Sequence, residues 1–207
     1  MNALDRLATS LGRNDEGPNV ELAATLAASA DTTAIDQLVN ALTTASAALK
    51  SDAIKTLCEI GALRPDLIAP YAKNFVALLD DGSNRLVWGA MTALDAIASV
   101  EPRTVEVYVP RIVAAADRGS VIAKDRCIMT LVKLSKAGDA DRMCPILLDR
   151  LADSAPNQFP TYAEEIAPVV PKSLLAKFTG ILKTRLDTIA QESKRKRVQK
   201  LLAKFNG

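Results

Sequence analysis

The chain has 207 residues, 49% of them hydrophobic and 24% charged, with only 4% aromatic residues and no histidine. Such a chain can bury a core without staples, which excludes a disordered, collagenous or disulfide-dense protein, and the missing imidazole removes every histidine-dependent triad, general base and metal site. The net charge of +2 is unevenly placed: residues 1–171 hold 16 lysines and arginines against 22 acids, whereas residues 172–207 hold 10 against 2.

Residues 1–18 carry Asp5 and Arg6 where a signal peptide would need an apolar run, and they are expected as an N-terminal cap helix. No stretch approaches 18 uninterrupted apolar residues, so no membrane span is expected and a cytoplasmic location is. Cys58, Cys127 and Cys144 lie 69 and 17 residues apart with no CxxC pair, which predicts buried free thiols, no metal and no cofactor.

From residue 19 to 187 the chain reads as helical hairpins. NVELAATLAAS, from Asn19, has the pattern of a degenerate first unit. After it, AIKTLCEIG (from Ala53), AMTALDAIA (from Ala90) and CIMTLVKLS (from Cys127) align without gaps. Leu57, Leu94 and Leu131 then form one column and Ile60, Ile97 and Leu134 another, at an interval of 37. A second set, out of phase, aligns Leu38, Phe75 and Ile112 at the same interval of 37 and closes on Asp80, Asp117 and Asp153 at intervals of 37 and 36. Both sets have helical spacing: Ala53, Leu57, Ile60 and Gly61 share one stripe, as do Leu67, Tyr71, Phe75 and Leu78.

Pro65, Pro102 and Asp139 mark the start of each second helix, and DDGSN, DRGS and DSAPN mark the turns between units. Pro70, Pro110 and Pro145 are predicted inside the second helices, where each would bend the axis. QFPTYAEEIAPVV, from Gln158, reads as a degenerate last unit. Residues 188–207 form a basic amphipathic helix with Val198, Leu201, Leu202 and Phe205 on one face and Lys196, Lys200 and Lys204 opposite, with Arg197 beside them.

This arrangement resembles the HEAT-repeat family of α-solenoids, on the strength of Pro70, Pro110 and Pro145, the turn aspartates Asp80, Asp117 and Asp153, and Arg85 and Arg126 after two of the turns. The resemblance covers residues 31–153 and implies an all-α superhelix of about four to five hairpins in a single domain, 1–207, in which stacked neighbours share one core. It implies a non-catalytic scaffold that binds a protein partner on a concave face of the second helices. Along those helices Arg64, Lys73, Arg103, Arg111, Arg142 and Arg150 nearly cancel Asp31, Asp36, Asp66, Glu101, Glu106, Asp139, Asp141 and Asp149, which disfavours a phosphate backbone there.

Two alternatives remain. An anionic partner, nucleic acid or acidic protein, would meet Lys194, Arg195, Lys196, Arg197, Lys200 and Lys204 if the last helix is more than a cap; SKRKR, from Ser193, also has the composition of a nuclear address. A branch of HEAT-like proteins excises alkylated bases from DNA with tryptophans and a carboxylate, and only Trp88 and Asp95 echo it. Trp88 and the Tyr71–Tyr108 pair, 37 apart, are read first as packing residues, and Asp95, in the column of Cys58 and Val132, as a carboxylate satisfied by Arg126 or Lys133.

Overall fold

In the computed structural model, residues 2–205 are described, and all their regular structure is helical. The helices are α1 (Gly17–Ser29), α2 (Thr32–Thr44), α3 (Ala47–Leu63), α4 (Pro65–Ile68), α5 (Ala72–Ala77), α6 (Asn84–Ile97), α7 (Pro102–Glu106), α8 (Val109–Arg118), α9 (Val121–Leu134), α10 (Ala140–Asp153), α11 (Phe159–Ile166), α12 (Leu175–Leu186) and α13 (Glu192–Ala203). They group into two compact units, one reaching Cys127 and the other starting at Ile128, within α9.

Local sequence explains where these helices start and stop. Asp31 and Ser46 are N-caps whose side chains accept from the amides of Ala34 and Leu49 at 3.0 and 3.5 Å. Pro65 and Pro102 begin α4 and α7, where the missing N–H breaks no bond. Of the three prolines predicted inside second helices, only Pro145 lies within one, α10. Pro70 falls in a 3-10 stretch, Ala69–Tyr71, between α4 and α5, and Pro110 is the second residue of α8. At those two places the helix stops and restarts rather than bending, because a proline at a fresh helix start forfeits no ladder bond and meets no preceding carbonyl. The Ser135–Asp139 stretch before α10 is a π-turn closed by Gly138 at φ 112°, a left-handed value that glycine tolerates.

In the N-terminal unit α3 packs on α1, α2 and α6, and α4 and α5 pack on α6. Leu57, Leu94, Ile60, Ile97, Leu38, Phe75 and Ile112 from the repeated columns are all completely buried. Asp80, one of the turn aspartates, accepts from Arg111 Nη2 at 2.6 Å and Arg118 Nη2 at 2.5 Å, which ties the turn after α5 to α8.

The stretch expected as an N-terminal cap helix contributes a 3-10 turn, Ala3–Arg6. It is held by a chain of amide contacts. Asn19, fully buried, accepts from the Ala8 amide at 2.9 Å and donates to Asp52 at 2.9 Å, and Asp52 accepts from the Thr9 amide at 2.7 Å.

In the C-terminal unit α10 packs on α11 and α12, and α13 packs on α11 and α12. Arg185 of α12 holds this layer together: it donates to the Ala152 carbonyl and to the Ser154 carbonyl, at 2.6 Å for the latter, and its guanidinium lies 4.9 Å from the centre of the Phe159 ring.

Candidate functional site

Among the described residues, the N-terminal unit has two clefts of note. The first, about 250 Å³, lies across α3, α6 and the start of α9. Lys55, Cys58 and Glu59 of α3 lie at i, i+3 and i+4, and Arg85, Trp88, Gly89 and Thr92 of α6 at i, i+3, i+4 and i+7, so each helix turns one stripe into the cleft. Arg126 closes it. The helices approach closely because residue 89 has no side chain: a Cβ there would stand 2.2 Å from Ile54 Cγ1. Trp88, the only tryptophan, is half-buried in this wall.

Ion pairs organise the rim. Glu16, just before α1, accepts from Arg85 and from Lys55 Nζ at 3.0 Å, while Lys55 also meets Glu59 at 2.7 Å. The Arg85 guanidinium, with Lys55 second, holds the Glu16 carboxyl below the usual range, and the bond to Glu59 raises the Lys55 ammonium above its own. Cys58 donates to the Gly89 carbonyl at 3.2 Å, and burial pushes its thiol up to about 12. Asp95, 5% exposed, pairs with Arg126 Nη1 at 3.2 Å and does not itself line the cleft. Trp88 and Asp95, the two residues that echo base-excision proteins, are therefore separated by function: the ring is on the wall and the carboxylate is in the core.

The second cleft, about 520 Å³, lies between α4–α5 and α7–α8 and includes Asp66, Lys73, Glu101, Thr104 and Tyr108. Asp66 receives both arms of Arg64, at 2.9 and 2.7 Å, and that contact holds its carboxyl below the usual carboxylate range. Tyr71 donates to Asp36 at 2.5 Å, and its phenol is pushed up to about 12, first by burial and then by this bond. Neither Tyr71 nor Tyr108 is a fully buried core residue; both stay half-exposed.

The structure puts five of the six basic residues singled out in the sequence on α13, with Lys204 at its C-cap, and gives them different work. Arg197 forks onto Glu164 of α11 at 2.9 and 2.6 Å and reaches Thr161 at 3.3 Å. Arg195 donates twice to the Ile189 carbonyl, at 3.1 and 2.8 Å, and Lys194 reaches Asn157 at 3.2 Å. Lys196 meets Glu192 one turn away at 2.7 Å, and Lys200 and Lys204 are exposed. Val198, Leu201 and Leu202 are buried beneath them, and Phe205 meets Phe178 edge-on at 5.5 Å. Among the described residues no three His, Cys, Asp or Glu side chains gather as metal ligands would, and no helix is long and apolar enough to cross a membrane.

No protein-family model matches the chain, and no curated protein matches it in sequence. Solved structures do match it in fold. A designed armadillo repeat protein in complex with the peptide (KR)4 is similar with a TM-score of 0.66 at 20% identity, over 90% of this chain and 86% of that one. A computationally designed armadillo repeat protein for modular peptide recognition gives 0.66 at 18% identity over 89% and 86%, and an engineered protein gives 0.65 at 19% over 100% and 97%. At these identities the likeness shows the fold, an all-α superhelical repeat of armadillo type.

Proposed function

We propose that the chain is a non-catalytic interaction scaffold that binds an extended peptide segment of a partner protein in the α3–α6–α9 cleft. The observation that carries this reading is the half-buried Trp88 ring set among the accessible charged groups Lys55, Arg85 and Arg126. A ring of this kind supports an aliphatic stem or a peptide plane, while the cations around it orient carboxylates or backbone carbonyls. Repeat folds present such stripes without an active-site constellation, and the designed armadillo neighbours are peptide binders by their own descriptions. The 37-residue interval of the apolar columns, with turn aspartates 37 and 36 apart, supports a HEAT-like variety of this fold.

The cleft wall holds three cations and one carboxylate, Glu59, while Glu16 and Asp95 pair with those cations from beside it. It favours acidic segments, unlike the neighbour bound to (KR)4. Because Trp88 is the sole tryptophan, its emission reads occupancy directly. Titration with a Glu-rich peptide should shift that emission, and Arg126→Gln should weaken the response. No shift with any peptide, or tighter binding of (KR)4, would remove the reading.

A second placement, on the second helices, is favoured by the larger cleft with Asp66 and Glu101 on its rim. It would take a basic segment, leave Trp88 emission unchanged and be weakened by Tyr108→Ala.

A further inference from the structure

The cationic residues of α13 divide by what their neighbours leave them free to do. Arg195 and Arg197 are committed to Ile189 and Glu164, and Val198, Leu201 and Leu202 fix the helix on α11 and α12. What remains outward is Lys196, Lys200 and the C-cap Lys204 at i, i+4 and i+8, on one side of the helix with a backbone rise of about 6 Å per step. Like charges at that spacing repel one another on an isolated helix. The nearby acids are Glu192, exposed and one turn from Lys196, and Glu164, already held by Arg197.

The rest of the outward side is Ser193, Gln199 and Ala203, with no large apolar group. Membrane surfaces select helices that can also insert an apolar face, and here that face is spent inside the unit. Cations repeated along one side of a fixed helix instead match an anion repeated along a strand. Lysines act as point charges and lack the planar fork that reads a base edge, so such a row contacts backbone and not sequence.

We propose that Lys196, Lys200 and Lys204 bind the phosphodiester backbone of nucleic acid without reading its sequence. This stands apart from the peptide reading, which concerns the other unit. The test is anisotropy of a short fluorescein-labelled DNA duplex with the full chain across a salt series, beside the Lys200→Gln/Lys204→Gln variant. Three phosphate contacts predict affinity falling about 40-fold between roughly 50 and 200 mM salt, against about 3- to 4-fold for the single lysine left in the variant. Both chains should melt together, and Lys200→Arg/Lys204→Arg should bind as the parent does. Equal duplex affinity and salt slope in parent and glutamine variant would overturn the proposal. So would tighter binding to poly-glutamate or to phosphatidylserine vesicles than to the duplex.

Discussion

Arg126, at the start of α9, places Nη1 3.2 Å from the carboxylate of Asp95 in α6, which is only 5% exposed, while its own side chain keeps 41% of its surface in water. The two partners therefore have unequal standing. Removing the arginine takes an ion-pair partner from a buried carboxylate, whereas removing the carboxylate leaves a guanidinium that can turn to solvent. Arg126→Ala should destabilise by about 1 to 3 kcal/mol, and Asp95→Val, which restores the neutral column of Cys58 and Val132, should stay within about 1 kcal/mol of the parent. Urea melts of the two variants decide it, and equal losses would show that the asymmetry is wrong.

Gly89 and Gly180 make opposite predictions from the same substitution. Both lie in helices, where alanine gains up to about 1 kcal/mol over glycine. A Cβ on Gly180 meets nothing within 4 Å, so Gly180→Ala should raise the melting temperature. On Gly89 it would overlap Ile54 Cγ1 at 2.2 Å, and overpacking of about 1 to 3 kcal/mol should outweigh the propensity gain. In an Ile54→Ala background the Gly89→Ala penalty should vanish. Additive losses in that cycle would place the strain elsewhere.

The repeat was legible because hydrophobic columns are written once per unit at fixed separation, and every copy must bury the same positions: Leu57 and Leu94, or Phe75 and Ile112, differ in sequence context but not in burial. The site was less legible. Trp88 was visible as a lone ring, but the cleft beside it depends on Gly89 approaching Ile54 from another helix, a separation that no periodicity encodes. The breaks at Ala69–Tyr71 and Val107–Tyr108 were hidden because a proline inside an apolar helical stripe reads alike whether the helix bends there or restarts. The fork from Arg197 to Glu164 links residues 33 apart, outside the repeat register, so the last helix looked uniformly basic until its partners were placed.

That fork also sets a pH dependence. The Arg197 guanidinium keeps the Glu164 carboxyl below its usual range, as Arg85 does for Glu16 and Arg111 for Asp80. Each of these carboxylates has a folded value below its unfolded one. Their stabilisation is therefore complete above the ordinary carboxylate range of about 4 to 4.5 and is lost as pH falls through the lower folded values. Melting temperature should be flat from neutral pH to about 5 and fall below about 4. Arg197→Gln should lower the neutral-pH plateau slightly and make the acid-side fall shallower; a fall as steep as the parent's would mean that this pair is not among the groups responsible.

Tyr71 carries the opposite sign. Burial and the bond to Asp36 raise its phenol from 10.0 to about 12, so the folded chain holds the proton more tightly than the unfolded one. The associated stability is fully present below the unfolded value near 10 and drains away as pH rises toward about 12. The chain has three tyrosines, and absorbance titration at the phenolate band should resolve one that ionises near pH 12. Asp36→Asn should move that tyrosine partway back by removing the charge and leaving the burial, whereas Tyr71→Phe should delete the step altogether and weaken the base-side loss of stability. If Asp36→Asn leaves the late step in place without any shift, burial alone holds the proton, and the contact between α2 and the Ala69–Tyr71 turn contributes packing but no charge coupling.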